Sequence, residues 1–318
     1  MLNHRMYEDF FGLRERPFDL TPDPRYLLLT DSHREALGNL EYGISARKGI
    51  TVLTGEAGTG KTTLIRTAFA RAEGEQPIQW GYLKNPRLRE PEFLEFLASR
   101  FGLSSEAALS KTRLLDELEA RLTAGHRAAL VIDEAHCVPL ELLEEVRLLA
   151  NIESNTDKLL PIILVGQPEL ADRLNETALR QLKQRVALRC HLEPLDLRQT
   201  AAYIAGRIGI AGGVPSDIFS REAVVTIHER SRGIARTINV ICDNALMTGY
   251  AEEHRPIPAQ VIETVCRDFD LSPGAGATSL EPAAKGRSPL AGIPARSAGP
   301  SGPEPDTERP RWWGIRKR

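Results

Sequence analysis

Five short apolar runs punctuate the chain: Ile50–Thr54, Ile78–Tyr82, Ala128–Ile132, Leu160–Val165 and Val186–Leu192. Each has the length and the β-branched content of a strand. Between them lie segments with apolar residues at helical spacing, notably Glu90–Phe101, Lys111–Leu122 and Leu140–Asn151, and a further helix is expected from Lys61 to about Arg71. Strands that alternate with helices predict a mainly parallel sheet covered on both faces. Strands buried on two sides read as apolar runs and not as alternating ones, and these do. The fold class expected is therefore α/β.

Residues 1–48 precede the first strand. They carry a Pro-rich lead-in, Arg16-Pro17-Phe18 through Thr21-Pro22-Asp23-Pro24, and then a helical pattern with Asp31 or Ser32 as its N-cap and Leu37, Leu40 and Ile44 on one face. Residues 49–195 hold the five strands. After Pro194 the pattern is helical only: Asp196 can cap a helix through Ile208, Ser216 or Ser220 can open another, and Ile234–Ala251 and Pro258–Asp270 supply two more. Residues 196–270 are thus expected to form a small all-helical domain. From Leu271 to Arg318 no period survives, and eight prolines and seven glycines in 48 residues mark a tail expected to be disordered.

Composition narrows this picture only modestly. A formal net charge of −2 gives no global attraction to nucleic acid or anionic lipid. The four cysteines, Cys137, Cys190, Cys242 and Cys266, form no C-x-x-C pair, so neither a zinc site nor a disulfide framework is expected, and a reducing cytoplasm fits. Met1–Leu13 does not resemble a signal peptide. The apolar run Leu159–Val165 is far shorter than the roughly 20 residues that span a bilayer. No transmembrane segment is expected.

The chemistry is concentrated at strand ends. The first strand runs into Gly55-Glu56-Ala57-Gly58-Thr59-Gly60-Lys61-Thr62, with Thr63 next, which matches G-x-x-x-x-G-K-[ST]. The glycines let the backbone curl so that successive N–H groups face phosphates. Lys61 then reaches the β- and γ-phosphates of ATP, the Thr62 hydroxyl ligates Mg²⁺, and the following helix points its positive end at the anion. The apolar strand 128–132 delivers Asp133 to hold the Mg²⁺ shell and Glu134 to deprotonate the attacking water. Asp133-Glu134-Ala135-His136 also spells a helicase box, but residues 150–318 leave no room for a second RecA-like domain, so His136 is read as a neighbour of the site.

Further candidates follow along the chain. Gln167, after the fourth strand, could sense the γ-phosphate, and Asn85, after the second, could restrain Glu134. A helix expected over Leu174–Val186 carries Arg180, Lys183 and Arg185. Arg185 is the first candidate for a cation donated to a neighbouring subunit, and Arg180 the second, since such a finger is worth about 10³–10⁵ in rate. Arg236 stands at a helix start, where the dipole disfavours it. Touching a γ-phosphate from a folded-over lid would explain its place.

Taken in this order, the P-loop, the acidic pair, the polar strand end, the basic helix and the helical lid with Gly233-Ile234-Ala235-Arg236 resemble AAA+ ATPases. Other stretches resemble the ExeA/GspA family of general-secretion-pathway ATPases and the related exosortase (XrtA/PEP-CTERM)-associated ATPases. These are Met6-Tyr7-Glu8-Asp9-Phe10-Phe11-Gly12-Leu13, Arg16-Pro17-Phe18, Thr21-Pro22-Asp23-Pro24, Ser32-His33-Arg34-Glu35-Ala36, Val165-Gly166-Gln167-Pro168-Glu169-Leu170, Leu182-Lys183-Gln184-Arg185 and Leu192-Glu193-Pro194-Leu195. The likeness spans roughly residues 6–270, and its match at Met6-Tyr7 suggests Met6 as the natural start. It implies a bacterial cytoplasmic ATPase that acts on envelope assembly. Full secretion-pathway members continue into a membrane helix and a peptidoglycan-binding part, neither of which occurs in these residues, so a free-standing relative is expected. Ala235 stands where the family often has proline.

The function expected is thus ATP hydrolysis that drives assembly or remodelling of a secretion, polysaccharide-export or protein-sorting system, by a homo-oligomer with a membrane-associated partner. Two alternatives stay open: a DNA-transposition-type AAA+ regulator, which the charge does not favour, and an ATP-dependent scaffold with little turnover. Residues 309–318 place two tryptophans beside five basic residues and could touch a membrane surface.

Overall fold

The five strands form one parallel sheet in the order β2-β3-β4-β1-β5, where β1 is Ile50–Gly55, β2 Gln79–Leu83, β3 Ala128–Ile132, β4 Ile162–Gly166 and β5 Val186–Leu192. The computed structural model describes residues 6–271 except 22, 27, 74–76, 85 and 155–156. All of these lie in one unit, Met1–Ala275. The tail and its Trp/basic end, as well as Asn85, fall outside the described residues.

Burial along the strands follows the sheet order. The central strands β1, β3 and β4 are buried at every residue, as their unbroken apolar runs require. The edge strand β5 exposes Ala187, Arg189 and His191, which is why its sequence alone among the five mixes charge with aliphatic residues. β4 starts two residues later than its apolar run, because Pro161 has no N–H to give to the ladder; its carbonyl instead accepts from the Leu130 amide at 2.9 Å.

Helices α2 (Asp31–Ser45), α3 (Lys61–Ala72), α4 (Glu90–Phe101), α5 (Lys111–Thr123), α6 (Leu140–Leu149), α7 (Glu169–Arg173) and α8 (Arg180–Lys183) accompany the sheet, whereas α1 (Tyr7–Phe11) packs away from it. Two apolar clusters pack its two faces. One joins Leu37, Leu40 and Ile44 of α2 and Leu64, Ile65 and Phe69 of α3 to Leu53, Val131 and Val165. The other joins α4, α5 and α6 to Val52, Leu130, Ile132 and Leu164. The alternate residues of each strand thus serve opposite faces.

Two expectations are corrected here. The N-cap of α2 is Thr30, neither Asp31 nor Ser32: its Oγ1 accepts from the His33 amide at 3.3 Å, and Asp31 occupies the first turn, where its charge suits the helix dipole. The helix expected over 174–186 is not continuous: α7 ends before it at Arg173, and the segment holds only a 3₁₀ turn at Thr177–Leu179 and the short α8. Asn175 and Thr177 are poor helix formers, and the Asn175 and Glu176 amides close tight turns on Asp172 and Arg173.

The remaining helices, α9 (Leu197–Ile210), α10 (Pro215–Ile218), α11 (Arg221–Ser231), α12 (Ala235–Ala251) and α13 (Ala259–Asp268), form a helical lid region with its own core. Asp196 caps α9 in a capping box with Gln199, and Ser220 caps α11. The lid core also contains Tyr7, Phe11, Leu13 and Phe18. The start of the chain therefore packs on the lid, far along the sequence, and the Tyr7 hydroxyl donates to Asp243 of α12 at 2.7 Å.

Candidate functional site

All strands being parallel, β1, β3 and β4 present their C-terminal ends along one edge, where an open α/β sheet receives its ligands. The β1 register sets Thr54 beside Gly166 of β4, and β3 ends at Ile132 directly before Asp133. A cleft of ≈ 420 Å³ opens there. Its floor is the loop Ala57–Gly60 with Lys61, Thr62 and Thr63, its side is Asp133 and Glu134, and its roof is Arg236 and Asn239 of α12 with Tyr203 and Arg207 of α9.

Lys61 opens α3 and is buried, at 7% exposure. Its Nζ donates to the Gly55 and Glu56 carbonyls at 2.7 and 2.9 Å. Burial lowers its pKa, and the charges of Glu134, Asp133 and Glu56 oppose that shift. The Thr59 hydroxyl donates to the Glu56 carbonyl at 2.9 Å, so the loop is tied to itself as well as to the lysine. Gly55, Gly58 and Gly60 all have positive φ.

Asp133 is oriented from two sides. Its Oδ1 accepts from the Glu134 amide at 3.0 Å and its Oδ2 from the Tyr82 hydroxyl at 2.6 Å. Burial, and then this bond, push the Tyr82 phenol well above the usual tyrosine range. The Thr62 hydroxyl and the Asp133 carboxylate are hard oxygen donors on the same cleft, which is the donor chemistry that suits Mg²⁺. Among the described residues there is no cluster of three His, Cys, Asp or Glu side chains able to hold a metal by protein ligands alone. Glu134 sits in the left-handed region at φ 51°, an uncommon conformation for a non-glycine residue and one that recurs at functional sites. Its Oε2 is 3.5 Å from His136 Nδ1.

The other candidates divide. Arg236 lines the cleft, and its own amide donates to the Gly58 carbonyl at 3.1 Å. Gln167 follows β4 but is not among the cleft-lining residues; its amide donates to His136 Nδ1 at 3.4 Å. Arg185 precedes Val186, which pairs with Ile50 at the start of β1. It therefore lies at the end of the sheet opposite the phosphate loop, in a second cleft with Lys48, Arg147 and Lys158. Arg180 is exposed at the start of α8.

Several cleft residues were not foreseen. The lead-in contributes Asp19, Leu20, Thr21, Asp23, Tyr26 and Leu28 to the wall. Arg207, buried in the last turn of α9, holds that strap. Its guanidinium donates to the Pro17 and Asp19 carbonyls and, at 2.6 Å, to the Tyr203 hydroxyl, and it lies 4.4 Å from the centre of the Tyr26 ring. Tyr203 in turn donates to Asn239 at 2.9 Å. The one hint in the sequence was the proline-rich lead-in; Arg207 carries no local signal.

A phosphate-cradling loop with an acidic strand end beside it and a helical lid closing over it defines a P-loop ATPase of the AAA+ class. The "AAA domain" family model matches residues 44–174. General secretion pathway protein A of Aeromonas hydrophila is 42% identical over 250 residues, covering 77% of this chain and 45% of that protein. The chain thus carries an AAA+ ATPase domain closely related to General secretion pathway protein A, and spans somewhat under half the length of that relative. The fold is that of the Aeropyrum pernix ORC2 protein in its ADPNP-ADP complexes, with TM-score 0.62 at 18% identity, covering 85% of this chain and 74% of that one. Cdc6p from Pyrobaculum aerophilum is similar at TM-score 0.62 and 16% identity, over 79% and 70% of the two chains. ATP binding is implied by the domain. Among the described residues no helix is long and apolar enough to cross a membrane.

Proposed function

We propose that this chain binds ATP with Mg²⁺ in the cleft, hydrolyses it, and uses the cycle to assemble or remodel a bacterial envelope machine for secretion, polysaccharide export or protein sorting. The observation behind this reading is the convergence of buried Lys61, the Asp133–Glu134 pair and Arg236 on one cleft. The envelope role rests on the likeness to General secretion pathway protein A. Residues 49–195 would be the catalytic α/β part, 196–270 the lid, and 1–48 the strap with α1 and α2.

In this reading the amides of residues 55–60, with Lys61 and the first turn of α3 through Thr63, hold the β- and γ-phosphates. Thr62 and Asp133 would hold Mg²⁺, which would neutralise charge on the phosphate oxygens. Glu134 accepts the proton of the attacking water as the water oxygen bonds to the γ-phosphorus and the bridging P–O bond breaks, leaving ADP and phosphate. Arg236 touches the γ-phosphate from the lid. Gln167 senses the same group once its side chain turns from the end of β4 toward the cleft. Arg185 cannot serve its own cleft from the opposite end of the sheet, so it acts on a neighbour's, and the working form is a homo-oligomer. The protein acts in the cytoplasm, at the inner membrane through a membrane-associated partner.

The test is Mg²⁺-dependent ATP hydrolysis across a protein concentration series, with wild type beside Glu134→Gln. Activity per subunit that rises with concentration and vanishes in the variant supports the reading. Hydrolysis that survives Glu134→Gln unchanged rules it out.

A further inference from the structure

His33 stands on the inner face of α2, three residues after the N-cap, and is 4% exposed. Both of its ring nitrogens are engaged. Nδ1 is 2.6 Å from the Thr30 hydroxyl, and Nε2 is 3.2 Å from the Thr59 carbonyl in the phosphate loop. The imidazole also lines the nucleotide cleft beside Gly60.

A carbonyl only accepts, so Nε2 must carry the proton facing Thr59. In the neutral ring Nδ1 is then an acceptor, and the Thr30 hydroxyl donates to it. The lone pairs of Thr30 Oγ1 remain free to accept from the His33 amide at 3.3 Å and to meet the Ser32 hydroxyl at 3.0 Å. One tautomer satisfies every atom in the group. Burial lowers the pKa of His33, and this supports the same neutral form.

The contact falls at a loop residue that the phosphate grip depends on. The Thr59 amide and hydroxyl both donate to the Glu56 carbonyl, which also accepts from Lys61 Nζ. Pinning the Thr59 carbonyl therefore fixes the turn that places Lys61 and its neighbouring amides. α2 follows directly on the strap that forms the cleft wall, so the same imidazole ties wall to floor. We propose that His33 is a positioning residue for nucleotide binding, a neutral imidazole whose Nε2–H locks the phosphate loop to α2. This rests on the reading of the cleft as an ATP site.

The discriminating pair is His33→Gln against His33→Asn in the full chain. Glutamine can place an N–H near the Nε2 position, whereas asparagine is one methylene short and reaches only toward Thr30. Titration with a fluorescent ATP analogue, together with steady-state hydrolysis, should show the His33→Asn protein binding about tenfold more weakly. KM should rise in parallel while kcat changes less than about twofold, and the glutamine variant should stay within about threefold of wild type. Should the asparagine variant fail to fold, His33→Leu fills the same space without a donor and is expected to show the same loss. Glutamine, asparagine and leucine variants that all bind like wild type overturn the proposal alone. A folded wild type that takes up no nucleotide overturns both the ATPase reading and this one.

Discussion

The amide of Arg236 donates to the carbonyl of Gly58 at 3.1 Å, so the longest lid helix begins on the phosphate loop itself. The two backbones come so close that a Cβ on Gly58 would lie 2.6 Å from Cβ of Arg236 and 3.1 Å from Cγ2 of Ile234. Gly58 also has φ +85°, where an L side chain costs about 1–2 kcal/mol before any overlap is counted. Gly58→Ala should therefore push the lid off the loop. The expected outcome is a protein that still folds but binds ATP at least about tenfold more weakly and melts several degrees lower, read by nucleotide titration and calorimetry. Unchanged affinity would show that lid and loop work independently.

A second prediction uses the distance between Arg185 and the cleft it is proposed to serve. Arg185 adjoins the start of β1 and β5, while Glu134 follows the end of β3. In the proposed homo-oligomer, head-to-tail assembly would bring one subunit's Arg185 to the next subunit's Glu134. Arg185→Ala and Glu134→Gln should each lose hydrolysis by about 10³-fold or more. Mixed in equal amounts, random assembly rebuilds an intact pair at about a quarter of the interfaces. Hydrolysis by the mixture well above either variant alone is the expected result. A mixture as inactive as its components would remove the reason for placing Arg185 in trans.

The parts of the site that could be read from the chain are those that local rules control. β3 and β5 fall on their apolar runs, and Lys61 opens its helix directly after the glycine loop. Where expectation and structure part, a local rule was outweighed by another. Pro161 delays β4, and Asn175 and Thr177 interrupt the helix expected over 174–186. The far wall of the cleft was not legible, because it is made by contacts across the chain. Arg207 grips Pro17, 190 residues away, and nothing around Arg207 distinguishes it from an exposed basic residue near a helix end. Its burial shows only once the strap and lid are packed together. His33 was visible as part of a family-like stretch, but its link to Thr59 spans 26 residues and depends on how α2 lies against α3.

Tyr82 gives a third prediction. Its hydroxyl is the side-chain donor on Asp133, at 2.6 Å, and its ring lies edge-on to Trp80, which stacks on Phe69 at 4.4 Å. The aromatic array holds the phenol in place, so removing one oxygen should leave the packing intact and free the carboxylate to turn. Tyr82→Phe is expected to need about tenfold more Mg²⁺ for half-maximal nucleotide binding, with nucleotide affinity at saturating Mg²⁺ near wild type. Binding at varied Mg²⁺ reads this without relying on turnover. An identical Mg²⁺ dependence would mean that Asp133 is held by the Glu134 amide alone.

The last prediction concerns pH. His33 has a lowered pKa in the folded protein because burial penalises its charged form, against an ordinary value of 6.5. In the unfolded chain the ring takes up a proton as pH falls through 6.5, while the folded ring does not until its own lower pKa. The unfolded state then binds more protons, so stability must fall with falling pH. His33 therefore contributes no penalty above the unfolded value; the penalty grows below it and levels off only under the folded pKa. Apart from burial, the strain falls on the contact with Thr30, because a ring that protonates must place a second N–H against that hydroxyl, 2.6 Å away, which can then no longer donate to Nδ1. Denaturant unfolding at pH 7.5 and pH 5.5 should show a larger loss for wild type than for His33→Gln, which keeps a donor but cannot titrate. The two proteins should converge near neutral pH and separate on the acid side. Parallel stability curves across that range would mean that His33 is solvated enough to protonate freely, and that its ring does not hold the loop in the neutral form.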